Sequence, residues 1–189
     1  MTGAVSALKS GGVIVYPTDT AYAIGCDAMN ESAVKKIFEM KGREQSKTLP
    51  LIAADTDMVR TWAEMPEKAE ELAQQHWPGP LTLVLPAKKQ GLAPPTVKDG
   101  WVAIRVPDNM IATDLSREAG VPIVATSANA SGSGPYYSIA DVRASLGPAS
   151  EPVDCYVDGG VLPNKRVSTI VKVWDTNHIE IIREGAVKL

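Results

Sequence analysis

Short apolar runs alternate along the chain with amphipathic stretches, a pattern that predicts strands and helices in turn and hence an α/β fold. Val13-Ile14-Val15-Tyr16 is an apolar run stopped by Pro17 and predicts a buried strand. From Glu31 to Lys41, Val34, Ile37, Phe38 and Lys41 fall near one face of a helix. Leu49-Pro50-Leu51-Ile52-Ala53 predicts a strand that its proline weakens. Asp55 can cap a short helix carrying Met58, Val59 and Trp62. Pro66 suits the first position of another, with Ala69, Leu72, Ala73 and His76 on one stripe, ending before Pro78. Strands are predicted at Leu81 to Leu85, Val102 to Val106 and Pro122 to Thr126. Between the last two, a helix from Asn109 to Ala119 is closed by Gly120. Ser138 followed by Asp141 reads as a capping box for a helix ending at Gly147. Val167 to Trp174 and His178 to Arg183 read as a hairpin joined by Asp175-Thr176-Asn177. The sum is a mixed parallel and antiparallel sheet flanked by helices, in one domain spanning 1–189.

Composition narrows the partners. The 189 residues carry a formal net charge of −3, so an anionic ligand would need a local cluster of cations. Cys26 and Cys155 are isolated, as are the two histidines, which argues against a disulfide framework and a structural zinc site. No run approaches the ~18 apolar residues of a membrane span, and no signal peptide is visible, so the expected location is cytoplasmic.

Four regions gather small, hydroxyl and cationic residues where strands end. Pro17-Thr18-Asp19-Thr20-Ala21-Tyr22-Ala23-Ile24-Gly25 is either a capping turn or a ligand loop. Lys41-Gly42-Arg43-Glu44-Gln45-Ser46-Lys47 is either a set of cations favoured by a helix C-terminus or an anion clamp. Thr126 to Pro135 is either a solvated loop or a set of backbone N–H groups able to approach phosphate. Arg105, inside the apolar Val102–Val106 strand, must be paired or face a cleft, because a lone buried guanidinium costs several kcal/mol. Cys26 is read as inert core and His76 as packed. Trp77-Pro78-Gly79-Pro80 is read as the fixed entry to the next strand.

Together these motifs resemble one family. Pro17-Thr18-Asp19-Thr20-x-Tyr22, Lys41-x-Arg43, Trp77-Pro78-Gly79-Pro80-Leu81-Thr82, Arg105-x-Pro107, Ser127-Ala128-Asn129-x-Ser131-Gly132, Ser168-Thr169-Ile170 and Arg183-x-Gly185 follow in order. The set resembles the YrdC-like domain family of threonylcarbamoyl-AMP synthases, in its short (TsaC-type) form. The resemblance implies a twisted sheet around a concave cationic cavity. It implies an enzyme forming threonylcarbamoyl-AMP and pyrophosphate from L-threonine, bicarbonate and ATP with Mg2+. Its product would go to downstream tRNA threonylcarbamoyl-transferase machinery, for N6-threonylcarbamoyladenosine in tRNA.

Carried over by position, Thr20, Arg105, Ala125 and Ser168 correspond to threonine-binding residues. Arg43, Lys47, Ser127, Asn129, Pro135 and Arg183 correspond to nucleotide-binding ones, with Lys41 and Arg43 as the catalytic cations. No protein-held metal is implied. The chain departs from the family pattern at Ala23, Glu44, Thr48 and Val167. It shares Tyr22-Ala23 and Arg183-Glu184-Gly185 with the YciO-like branch. The alternative reading is therefore a YciO-like paralogue, acting as a tRNA- or double-stranded-RNA-binding module or on another carbamoyl substrate.

Overall fold

The computed structural model describes residues 1–42, 48–88, 91–130 and 132–189. The elements follow in the order α1 (Thr2–Lys9), β1 (Val13–Pro17), β2 (Tyr22–Gly25), α2 (Glu31–Lys41), β3 (Leu51–Ile52), α3 (Thr56–Trp62) and α4 (Glu67–His76). Next come β4 (Leu81–Pro86), β5 (Val97–Lys98), β6 (Trp101–Arg105), α5 (Met110–Ala119), β7 (Ile123–Val124) and β8 (Thr126–Ser127). The chain ends with α6 (Ile139–Leu146), β9 (Val153–Tyr156), β10 (Thr169–Val173) and β11 (Ile179–Arg183). The first sheet has the order β8-β2-β1-β9; the second has β11-β10-β4-β6-β3-β7, with β5 on β6. β1 pairs antiparallel to β2 and parallel to β9. β4 pairs antiparallel to β6 and parallel to β10. Both sheets are thus mixed, as expected.

Local rules set most helix ends. Asn30 accepts from the Ala33 N–H, and Gly42 closes α2 in the left-handed region. Asn109 and Gly120 do the same for α5. Ser138 accepts from the Asp141 N–H while its hydroxyl donates to the Asp141 carboxylate, which realises the capping signal. Four elements went unread in the sequence: β2 lies within the stretch read as a capping turn or ligand loop, β5 within a run given no element, and α1 and β9 were also missed. α1 buries Ala4, Val5 and Leu8 against α5 and β1, but its polar remainder hid the periodicity. β9 is short and only half-buried, and depends on its pairing with β1. The predicted 122–126 strand is two strands. β7 pairs with β3 in the second sheet, and β8 pairs with β2 in the first. Ala125 is the crossing point, and its N–H donates to the Pro50 carbonyl at 2.8 Å.

The second sheet buries one face. Leu81, Leu83, Leu85, Val102, Ile104, Val171 and Val173 point into the core. Alternate residues on the same strands face the other way and form the floor of a cavity. Gly25 permits the two sheets to meet there. A Cβ on it would lie 1.9 Å from the Val124 carbonyl oxygen, the atom that accepts the Tyr16 hydroxyl at 2.9 Å. No described helix is long and apolar enough to cross a membrane.

Candidate active site

The cavity encloses about 820 Å3 between the β1–β2 turn, the floor of the second sheet and the β7–β8 crossing. Thr82 and Val84 of β4, and Ala103 and Arg105 of β6, form its floor. Along β10, the alternate residues Ser168, Ile170, Lys172 and Trp174 continue it. Among the described residues, the charged side chains lining it are Lys98, Asp99, Arg105, Lys165, Lys172 and Arg183.

Arg105 ends β6 with its side chain at the cavity wall. Its Nη1 donates to Asp19 Oδ1 at 2.5 Å and its Nη2 to Thr20 Oγ1 at 3.2 Å. The apolar strand therefore carries a paired guanidinium that still borders a cleft, which joins the two readings its sequence allowed. The hydroxyls beside it are oriented. Thr18 donates to the Ala21 carbonyl at 2.7 Å, since a carbonyl only accepts. With that proton committed, the 3.1 Å contact between Thr18 and Thr20 has Thr20 as donor. The β1–β2 turn is thus a capped turn that also borders the cavity.

Ser168 sits opposite, buried just before β10. Its hydroxyl meets Thr82 Oγ1 at 2.9 Å, and Arg183 Nη2 donates to it at 3.0 Å and to its carbonyl at 2.8 Å. Burial, and then the charge of Arg105, lowers the pKa of Arg183, so the two guanidiniums share one electrostatic corner. Gly185 makes this possible. A Cβ there would fall 2.3 Å from the Val167 carbonyl oxygen, where the C-terminal segment crosses the start of β10. The Arg-x-Gly spacing is therefore a packing requirement around Ser168.

The third group is less exposed to the cavity. Lys41 is buried at the end of α2, and its ammonium donates to the Ser127 carbonyl and, at 2.8 Å, to the Asn129 carbonyl. Asn129 Nδ2 donates to the Ala130 and Ser133 carbonyls at 2.8 and 2.7 Å. Lys41 and Asn129 therefore tie the loop together and do not line the cavity, whereas Ala125, Ser127 and Pro135 do. Lys41, expected from the motif as a catalytic cation, thus has its ammonium on loop carbonyls. The physical reason is that a buried ammonium takes the carbonyl acceptors within its reach. Arg43, Lys47 and Ser131 lie outside the described residues.

Thr18, Asp19, Thr82 and the Trp101–Lys172–Trp174 group carried no individual role in the sequence motifs. Lys172 Nζ lies 4.0 Å from the Trp101 ring centre and 3.5 Å from that of Trp174. The period-two series Ser168, Ile170, Lys172, Trp174 was a usable signal for that floor. Nothing local marked Asp19 as the partner of Arg105. Cys26 is fully buried, and burial raises its thiol pKa well above the ordinary value, in keeping with an inert core residue. Among the described residues, no three His, Cys, Asp or Glu side chains gather to hold a metal.

Mixed sheets meeting at an arginine-flanked cavity define the class, and the Sua5/YciO/YrdC family model, described as "Telomere recombination", matches residues 6–185. The chain belongs to that family. It is 36% identical over 167 residues to a threonylcarbamoyl-AMP synthase of Marinobacter nauticus, covering 87% of this chain and 86% of that protein. It is 44% identical over 131 residues to a threonylcarbamoyl-AMP synthase of Bacillus subtilis, covering 68% of this chain but 38% of that longer protein. Among solved structures, Pyrococcus abyssi Sua5 in complex with L-threonine superposes with a TM-score of 0.88 at 35% identity, over 96% of this chain and 53% of that one. Escherichia coli YciO superposes with a TM-score of 0.84 at 27% identity, over 98% and 88%. The chain thus spans between about a third and nearly nine-tenths of these relatives.

Proposed function

We propose that this chain forms L-threonylcarbamoyl-AMP and pyrophosphate from L-threonine, bicarbonate and ATP. The carrying observation is the corner where Arg105, Thr20 and Ser168 converge, with Arg183 beside them. It offers guanidinium N–H groups for a carboxylate and hydroxyl oxygens for an amino acid's polar atoms. The threonine-bound Sua5 structure supports the amino-acid assignment by its similarity over nearly all of this chain. The lining cations, with Asp99 as their lining carboxylate, support anionic ligands in a chain of net negative charge.

In this reading the threonine carboxylate lies on Arg105. Its ammonium and bicarbonate combine to a carbamate, water and a proton. The carbamate oxygen then forms a bond to the α-phosphorus of ATP, and the bond to pyrophosphate breaks. The nucleophile belongs to the substrate, so the protein's part is alignment and charge neutralisation. Arg183 and Ser127 bind the nucleotide in this reading, Arg43 and Lys47 are assigned the same role by their motif positions alone, and Pro135 and Ala125 shape the wall. Lys41 and Asn129 hold the Ser127 loop in place. Magnesium enters as part of the ATP complex. Delivery to a tRNA threonylcarbamoyl-transferase, direct contact with RNA and a cytoplasmic workplace belong to the same proposal.

The test is pyrophosphate release from Mg-ATP. The expected result is release only with threonine and bicarbonate both present. Turnover that ignores threonine but responds to another amino acid would move the chain to the YciO-like alternative. Salt-sensitive RNA binding with no turnover would make it a binding module.

A further inference from the structure

We propose that Asp19 is a positioning residue for the amino-acid substrate: it holds the Arg105 guanidinium from behind, so that the free N–H groups of Arg105 face the substrate carboxylate. The inference rests on the reading of this corner as an amino-acid site. Asp19 does not line the cavity, whereas Arg105 does. Both side chains are largely withdrawn from solvent, and of the two only Arg105 borders the cavity.

Stability does not account for the pair. A buried ion pair is often no better than apolar residues of similar volume, because desolvation offsets the attraction. Here the balance is worse, since Asp19 Oδ2 is buried with no hydrogen-bond partner among the described residues. An unsatisfied buried oxygen is itself destabilising. Orientation does account for it. Of the five guanidinium N–H groups, one goes to Asp19 and one to Thr20, which leaves others for a ligand. The Thr20 proton is already directed at Thr18, so on the Asp19 side of the corner Arg105 is the group with donors left for a substrate anion. A guanidinium free to rotate would lose the alignment on which bidentate carboxylate binding depends.

The experiment is calorimetric titration of threonine into the full chain, paired with steady-state pyrophosphate release, for wild type, Asp19→Ala, Asp19→Ser and Asp19→Asn. Asn keeps an acceptor for Nη1; Ala removes it, and Ser is too short to reach. The expected result is at least a tenfold loss of threonine affinity for Asp19→Ala and Asp19→Ser. Asp19→Asn should stay within about threefold of wild type. KM for ATP, and kcat at saturating threonine, should hold within twofold. The inference is overturned if Ala and Ser leave threonine affinity within twofold. It is also overturned if Asn is as damaging as Ala, or if both KM values rise together with a lowered melting temperature. Wild type that binds no threonine would take down the functional reading and this inference together. Wild-type binding with unaffected variants would remove the inference alone. Should Asp19→Ala not fold, Asp19→Ser and Asp19→Asn carry the same comparison.

Discussion

Arg105 and Lys41 are both cations at the end of regular elements, and both are nearly fully buried, at 7% and 5% exposure. Arg105 meets one carboxylate and one hydroxyl, and its remaining N–H groups border open space. Lys41 meets backbone carbonyls of the loop it faces and does not itself line the cavity. The contrast teaches that burial of a cation says little about its role. What separates the two is whether donors are left over, and where they point. A planar guanidinium can be fixed on one edge and bind on the other, whereas a compact ammonium placed among carbonyls is consumed by them.

The comparison can be broken most directly at Arg105. Arg105→Ala should raise the apparent KM for threonine at least 30-fold, since truncating one partner of a buried charge pair costs about 2–5 kcal/mol. KM for ATP should change far less, and an unchanged threonine KM would end the assignment. Lys41→Met comes next. It leaves loop carbonyls buried without donors, at about 1–3 kcal/mol each. A lower melting temperature and a raised KM for ATP are expected, with threonine KM within threefold. If Lys41→Met instead abolished turnover in a fully stable protein with normal ATP affinity, the loop-holding role would be wrong.

Gly185→Ala sharpens the Arg105 side. The added methyl meets the Val167 and Ser168 backbone and must displace the segment carrying Arg183. A stability loss of about 1–3 kcal/mol, as for overpacking, is expected by denaturant titration, together with weaker binding of both substrates. Ser168→Ala removes one hydroxyl that meets Thr82 and Arg183. It should cost about 1 kcal/mol, near fivefold in threonine KM. The smallest effect is expected from Lys172→Ala at the far end of the floor. It loses contacts with two tryptophan rings, about 0.5–1 kcal/mol at partly exposed sites, and leaves threonine KM unchanged. A large threonine effect there would mean that the amino acid sits further along β10 than Arg105 implies.

Much of this was legible in the chain. The α2, α5 and α6 ends follow from Asn30, Asn109, Ser138 and the glycines after them, because capping acts within one turn. Arg105 was legible as a conflict, a charge in an apolar strand. Its resolution was not, because Asp19 lies 86 residues away in sequence. The same separation divides Lys41 from the Ser127 carbonyl, so the helix-end rule that placed Lys41 was silent about what it would face. The 122–126 run illustrates the limit in backbone terms. Its apolar residues predict a strand but not that Ala125 hands the chain from one sheet to the other.

By itself, then, the sequence determined the local elements, their caps and the ordered motifs that mark the family, since periodicity, turn chemistry and helix ends depend on residues within a few positions. The tertiary structure alone decided which sheet each half of the β7–β8 run joins, that Asp19 stands behind Arg105, and that Lys41 turns to a loop while Arg183 turns to Ser168. Those outcomes depend on where buried charges find partners, and a buried charge takes the nearest group in space, whatever its distance along the chain.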